Sequence, residues 1–467
     1  MDRYKKLLGN TMLFGLATFS SKILTFLMLP VITRLVTPED YSTMDLVANS
    51  SLYIVPIISL CVHEAVIRFG LDKSERKSDV FTTAILTIFT GYMFLWLCWP
   101  AVGLVTRIRD YRGLIYVYVL TSALRSTVTH FVRASGFTRL FALDGIVTTV
   151  STVLYTILFL GPLKLGVSGY VFATILADAI SAVGLVLLLR LHRFFRPREL
   201  RRGTLRAMLR YSAPLVPTAL FWWITNLSDH YLVDAITGEA ANGLYVISYK
   251  IPTMITLVST IFIQAWQVSA FSEEDPKERD RFFSTVLGGY QTLIFLAASG
   301  LILLIRPITK ILVAPEYYES WRHVPFLVLA LSFSCLVTFL GTIYNVAKHN
   351  RMVGITTGVG AAVNLGLNLC LIPVYGANGA AFATFISYFV VFVIRAVDTR
   401  RYMDVKLHPL RIGASLGILL VQVWAGMGEV QYWIGIEIAA FLLLLAVNIA
   451  PILYILRALR SRLPRER

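Results

Sequence analysis

Gly166-Val-Ser-Gly169-Tyr-Val-Phe172-Ala-Thr174 and Gly376-Ala-Asn-Gly379-Ala-Ala-Phe382-Ala-Thr384 share the pattern GxxGxxFAT at an offset of 210 residues. A looser pair, Leu35-Val-Thr-Pro38-Glu39-Asp-Tyr41 and Ala235-Ile-Thr-Gly238-Glu239, lies 200 residues apart. Each GxxG segment opens an apolar run with small residues, which permits a tight turn and close helix packing. Six apolar runs separate the copies. Six is even, so both copies enter a bilayer from the same side, as in a parallel repeat about an axis along the membrane normal. The repeat predicts two similar bundles with a cavity where they face each other.

Composition supports a membrane protein. Of 467 residues, 57% are apolar and 15% charged, and the mean hydropathy is +0.70. A soluble domain carries roughly 45–50% apolar and about 25% charged residues. Fourteen spans of about 20 residues use about 280 residues, or about 60% of the chain. The apolar runs fall at 10–32, 42–67, 79–105, 113–132, 140–161, 167–190, 211–233, 241–270, 282–305, 323–345, 353–373, 378–398, 410–428 and 431–456. The expected fold is an all-α polytopic membrane protein with about fourteen transmembrane helices. A six-helix bundle occupies 1–191 and a basic cytoplasmic interfacial linker 192–210. A second six-helix bundle follows over 211–400, then an additional helix pair and basic cytoplasmic tail over 401–467. Within the linker, HRFFRPRELRRGTLRAM (192–208) reads as a short amphipathic surface helix. The run after Met1-Asp-Arg-Tyr-Lys-Lys is too long for a cleaved signal segment and reads as a permanent first span.

Lys and Arg (43) exceed Asp and Glu (27) by 16. With no basic, aromatic-interleaved soluble domain to hold it, nucleic acid is not a partner. The excess marks cytoplasmic loops instead. With the N-terminus inside, cytoplasmic segments hold 32 basic residues and the opposite loops 8, which places both termini in the cytoplasm. Cys61, Cys98, Cys335 and Cys370 lie inside apolar runs with no CxxC pair, so neither a metal site nor a disulfide framework is expected.

Two further stretches carry a family resemblance. Lys22-Ile-Leu-Thr-Phe-Leu-Met-Leu-Pro30-Val-Ile-Thr-Arg34-Leu-Val-Thr-Pro38-Glu-Asp-Tyr41 resembles the first-helix signature of bacterial polysaccharide flippases. Ser228-Asp229-His230-Tyr-Leu, followed by Gly243-Leu-Tyr245-Val-Ile-Ser-Tyr249-Lys250-Ile-Pro252, resembles their helix 7–8 signature. These proteins belong to the multidrug/oligosaccharidyl-lipid/polysaccharide flippase superfamily, and the resemblance covers essentially the whole chain. His230 departs from the pattern, since relatives often place Arg or Lys after the helix 7 Asp. The resemblance implies a multi-pass protein of the bacterial cytoplasmic membrane that turns undecaprenyl-pyrophosphate-linked oligosaccharide repeat units from the inner to the outer leaflet by alternating access. It implies no bond chemistry. Its partners are the lipid-linked oligosaccharide, membrane lipids, and a polysaccharide polymerase and glycosyltransferases that use or make the cargo.

Such a cargo needs a hydrated cavity with positive charge. A cation at the bilayer centre costs at least ~2.5 kcal/mol, so it needs a partner, water or a function. Lys22 and Lys250 lie deep in spans 1 and 8, and Arg125 lies inside span 4. These are the candidate ligands for the pyrophosphate, against snorkelling for Arg125 and pairing with Asp229 for Lys250. Asp229, Glu64 and Asp45 are candidates for coupling or gating, with H⁺ or Na⁺ as the coupling ion and no other cofactor. Helix-end solvation, or an ion pair between Glu64 and Arg68 at i+4, is the plainer reading of these acids. Asn364 and Asn368 share one helix face and, with Tyr249, are candidates for sugar contact, against simple helix joining. Pro30, Pro56, Pro214, Pro217 and Pro252 each remove a helix hydrogen bond, so bends are expected in spans 1, 2, 7 and 8.

A peptidoglycan lipid-precursor flippase and a multidrug or cation antiporter share these features and remain alternatives. A membrane enzyme is disfavoured. The largest predicted outer loop, Arg306 to Arg322, has no recognisable catalytic arrangement, and the chain has no Walker A motif.

Overall fold

A computed structural model describes residues 24–453 apart from 25, 73, 99–105, 271–275, 348, 429 and 452. All regular structure in the described residues is helical. The chain divides into two compact units, Met1–Tyr231 and Leu232–Arg467.

The first unit contains α1 (Leu29–Leu35), α2 (Pro38–Ile58), α3 (Val62–Leu71), α4 (Lys77–Leu97), α5 (Arg112–Ala134), α6 (Thr138–Leu160), α7 (Gly166–Leu188), α8 (Arg202–Ser212) and the greater part of α9 (Val216–Thr237). Local chemistry sets the start of α2. Pro38 stands in its first turn with Glu39 and Asp40, and the Thr37 hydroxyl accepts from the Asp40 N–H at 3.3 Å. Pro56 lies inside α2, yet the break comes just after it. Leu60 and Cys61 take φ of +49° and +53°, and α3 leaves at 54° to α2. The expected bend in span 2 is therefore a full interruption. Val62, Ala65, Val66, Val80, Ala84, Ile88, Ile115, Val119 and Phe131 form the unit's dry interior.

The amphipathic helix expected over 192–208 is shorter and later: α8 starts at Arg202, and Leu191–Phe194 and Pro197–Glu199 are short 3-10 turns. Thr204, Met208 and Ser212, four residues apart, are buried, and Arg202, Arg206 and Arg210 are exposed. The stretch before it is bound to the start of α4. Thr82 Oγ1 donates to the Phe194 carbonyl (3.0 Å) and accepts from the Arg196 N–H (2.8 Å). Buried Asp79 takes two 2.9 Å bonds from Arg76, whose guanidinium also reaches the Glu199 carbonyl at 2.7 Å.

The second unit continues with α10 (Glu239–Lys250), α11 (Thr253–Ala270), α12 (Pro276–Leu303), α13 (Ile305–Leu312), α14 (Val324–Val346), α15 (Asn350–Asp398), α16 (Pro409–Met427) and α17 (Trp433–Val447). The single span expected over 241–270 is divided at Ile251–Pro252. The 49 residues of α15 are two helices joined at Gly376, with φ 57° and ψ −140°. Asn364 bonds Thr384 and Thr356 bonds Arg395, pairs that span that glycine, so the chain folds back there as a hairpin. The GxxGxxFAT copies share this construction. Gly166 and Gly376 both have positive φ, +54° and +57°. The second glycines pack close to the preceding helix. A Cβ on Gly379 would lie 2.4 Å from the Leu371 carbonyl oxygen, and one on Gly169 3.1 Å from Phe159 Cβ.

The interior of this unit is aromatic, with Phe333 against Phe385, Phe389 and Phe392 at 5.9, 5.2 and 5.3 Å. The C-terminal pair α16–α17 is fixed by polar contacts. Ser299 donates to Gln422 (2.7 Å), whose amide reaches the Glu437 carbonyl (3.2 Å). Asn448 bonds both Thr292 and Ser415 at 3.2 Å. The Arg306 guanidinium sits 4.1 Å from the ring centroids of both Trp321 and Trp433, and donates to the Gly426 carbonyl.

Among the described residues, seven helices are long and apolar enough to cross a bilayer, and the bent α2–α3 pair makes an eighth. α5 and α9 fall outside that count although they have 23 and 22 residues. α5 carries Arg125 and His130, and α9 carries Asp229, His230 and Asp234. Ionisable groups inside a membrane-spanning helix are a mark of function.

Candidate functional site

The first unit has an open cavity of about 860 Å³ lined by α1, α2, α3, α5, α6 and α7. At its polar end Arg125 projects from α5 to carboxylates on two neighbouring helices. Its Nη2 lies 3.3 Å from Asp144 on α6, and its Nη1 lies 3.5 Å from Asp178 on α7. Ser181 accepts from Arg125 Nε (3.2 Å) and donates to Asp144 (2.6 Å), and Ser122 donates to Asp178. Both carboxylates are nearly buried, at 8% and 9% exposure, against 26% for the guanidinium. A buried charge needs this density of partners. Arg125 therefore does not extend to a membrane surface; three helices meet at its guanidinium.

Thr148, Thr152 and Thr156, at helical spacing on α6, line the cavity with Thr129, Thr149 and Thr174. Thr174 is the final residue of the first GxxGxxFAT copy. Two of the α6 hydroxyls donate to backbone: Thr149 to the Gly145 carbonyl (2.8 Å) and Thr152 to the Thr148 carbonyl (2.9 Å). The buried Thr148 hydroxyl has no hydrogen-bond partner. Five residues further along α5 from Arg125, His130 meets His63 edge to face at 5.3 Å, and its Nδ1 donates to the Ser126 carbonyl at 2.6 Å.

Elsewhere in this unit Asp45 and Asp229, 184 positions apart in sequence, converge on His230. The imidazole Nδ1 donates to Asp45 at 2.7 Å, and its Nε2 lies 4.0 Å from Asp229. Asp229 also accepts from the His230 N–H at 3.0 Å. All three side chains are at most 9% exposed. Tyr231 and Ser50 share a hydroxyl hydrogen bond beside them. Glu64 is not part of this group. It is half exposed, 3.7 Å from His63, and makes no ion pair with Arg68, which stacks on Tyr211 at 4.5 Å.

Lys22 lies outside the described residues. Lys250 is half-buried at the end of α10. The candidate sugar contacts of the second unit come together on Thr384, the last residue of the second GxxGxxFAT copy. Thr384 Oγ1 accepts from Asn364 (3.2 Å) and Tyr249 (3.4 Å), and Asn368 donates to Asn364 (3.0 Å). Both asparagines are fully buried, and Asn368 Oδ1 has no hydrogen-bond partner.

The roles of Asp144, Asp178 and Ser181 around Arg125, the His63–His130 contact and the threonine row were not anticipated from the sequence. The threonine row had a visible signal in its spacing of four. The partners of Arg125 had none, because they come from helices 19 and 53 positions away.

The family described as "Polysaccharide biosynthesis protein" matches residues 7–273. Among curated proteins there is no significant match. Solved structures with the same fold include the lipid II flippase MurJ in an inward closed conformation, at 15% identity and TM-score 0.69, covering 96% of this chain and 99% of that one. An inward-facing multidrug resistance MATE family transporter of the MOP superfamily matches at 13% identity and TM-score 0.66, over 87% of this chain and 96% of that one. An outward-facing transporter of the same kind matches at 15% identity and TM-score 0.57, over 87% and 95%.

Proposed function

The chain belongs to the polysaccharide biosynthesis protein family, and from that premise we propose that it is a flippase for undecaprenyl-pyrophosphate-linked oligosaccharides, feeding cell-surface polysaccharide synthesis. The observation that carries this reading is the cavity of about 860 Å³, with charged and hydroxyl side chains, inside a unit built of apolar helices. A head group crossing ~30 Å of hydrocarbon needs such a polar enclosure. The shared fold with a lipid II flippase supports the reading.

In this reading Lys22 and Lys250 attract the pyrophosphate. Arg125, held by two carboxylates, organises the wall instead of binding the anion. The Asp45–His230–Asp229 group gates or couples the cycle, and the interruptions at Leu60–Cys61 and Pro252 supply bending for alternating access. Both termini face the cytoplasm, as the basic residues direct.

The test is transport in vesicles. Purified full-length protein should move a fluorescent polyprenyl-pyrophosphate oligosaccharide between leaflets, read by loss of accessibility to an external lectin or quencher. Rates equal to protein-free vesicles would defeat the proposal. A second reading, flipping of the peptidoglycan precursor, is favoured by the near-complete mutual coverage with the lipid II flippase. Complementation of cells depleted of that activity separates the two.

A further inference from the structure

We propose that the end of α7 and the turn after it form a binding site for an anionic phospholipid, with Arg190 and Arg193 holding the phosphate and the exposed face of α7 taking an acyl chain. The ligand is a lipid of the surrounding bilayer, so the proposal does not rest on the identity of the cargo.

Beyond α7 the chain makes one 3-10 turn, Leu191–Phe194, entered through Arg190 with φ of +50°. The Arg193 N–H donates to the Arg190 carbonyl at 3.1 Å, which sets the two arginines three residues apart across a single turn. The turn is firmly fastened to the unit. Leu191 is buried, the Phe194 ring lies 5.4 Å from that of Phe131, and Thr82 Oγ1 holds the Phe194 carbonyl and the Arg196 N–H. Arg190 and Arg193 are both exposed. Among the described residues neither guanidinium has a hydrogen bond or an ion pair, so they neither cap the last carbonyls of α7 nor balance an acid. The acids close by in sequence and structure are already taken: Glu199 lies 3.2 Å from Arg196, and Asp79 lies 2.9 Å from Arg76 and 3.7 Å from Arg201. Over residues 190–210 there are eight arginines and a single acid, Glu199. The complementary partner is an anion from outside the chain.

What identifies that anion as a lipid is α7 itself. Phe172, Ile180, Val183 and Leu187 are exposed, Leu187 most of all at 66%, while Val171, Ile175, Asp178, Ala182 and Leu185 are buried. The exposed four fall within about 80° of arc at 3.6 residues per turn. α7 is long and apolar enough to cross a bilayer, so this stripe meets hydrocarbon. From Ile180 to Leu187 it covers about 10 Å at 1.5 Å per residue, most of the ~15 Å of one leaflet's hydrocarbon. The arginines follow at once, at the height of the headgroups. There a guanidinium fork fits two phosphate oxygens, and basic side chains attract anionic lipids. A soluble acidic partner would match the charge and leave the apolar stripe beside it uncovered. A phospholipid satisfies both.

Native mass spectrometry of the purified full-length protein tests this, with titration in detergent by phosphatidylglycerol or by phosphatidylcholine of the same acyl chains. The anionic lipid should bind ~10-fold tighter or more, the scale of two arginines acting together. Arg190→Gln with Arg193→Gln should reduce that preference at least ~3-fold and leave the phosphatidylcholine constant and Tm unchanged. The double variant should fold normally, because neither side chain bonds another part of the protein. Arg196→Gln should keep the preference, since that guanidinium is already matched by Glu199. Equal binding of the two lipids by the unaltered protein overturns the proposal. So does a double variant that keeps the full preference, which would assign the anion to another basic patch. A third titration uses a short polyprenyl pyrophosphate. If Arg190 and Arg193 govern its binding but not that of phosphatidylglycerol, the turn receives the cargo and the proposal falls.

Discussion

Replacing Arg125 with Met tests whether the first unit is organised around its guanidinium. The substitution keeps length and apolar contact but leaves Asp144 and Asp178, at 8% and 9% exposure, facing one another with no cation between them. Removing one partner of a buried ion pair costs about 3–5 kcal/mol. The guanidinium is 26% exposed, so a loss at or just below the bottom of that range, ~2–3 kcal/mol, is expected. For a cooperative unit of 150–250 residues, each 1 kcal/mol shifts Tm by about 2–4 °C, giving a loss of about 5–10 °C. The informative variant is Arg125→Met combined with Asp144→Asn and Asp178→Asn. It removes the stranded charges along with the cation and should recover at least half of the lost Tm, a non-additivity expected of groups sharing one network. Thermal unfolding of the purified full-length protein, followed by tryptophan fluorescence in one detergent, reads both. A single variant as stable as the unaltered protein would refute the reasoning. So would a triple variant less stable than the single one.

Gly379→Ala puts a Cβ 2.4 Å from a backbone carbonyl and should cost ~1–3 kcal/mol through forced separation of the hairpin; Gly413→Ala, with open space around it, should leave Tm unchanged or slightly raised. Asp45→Asn and His230→Gln should each slow transport, and the double variant should be no slower than the worse single one, since both remove the same contact; additive losses in the vesicle assay would contradict this. Arg306→Leu removes two ring contacts and a carbonyl bond, so the helix pair α16–α17 should loosen, read as faster proteolysis of the turn between them and a Tm loss worth about 2–4 kcal/mol. Arg306→Lys should recover only part of it, because a lysine lacks the planar fork that two indoles can sandwich.

The large features of the fold were legible because they follow from local chemistry. The positive φ at Gly166 and Gly376 and the close approach at Gly169 and Gly379 are what small residues at that spacing permit. Proline announced interruptions but not their place: the chain breaks at Leu60–Cys61, one turn beyond Pro56, where the helix must re-form its lost bonds. Apolar runs located α5 and α9 as well, at 113–132 and 211–233, although both carry ionisable groups. The site itself was legible in its parts only. Arg125, Asp45 and Asp229 stand out as charges in apolar runs, yet which acid meets which base depends on helix packing across many intervening residues. The convergence of Tyr249, Asn364 and Asn368 on Thr384 was hidden for the same reason, although each residue had been visible as a polar group in a span.

The polar rungs that hold α16 and α17 change what those two helices are. Because Gln422 and Asn448 answer Ser299 and Thr292, and the Trp433 ring covers Arg306, a polypeptide ending at residue 401 would strip two hydroxyls and a guanidinium of these partners. The terminal pair is thereby not an ornament that a shortened version could shed. It is the cover for a polar flank, and any pair transplanted from a relative would have to supply the same bonding groups at the same heights.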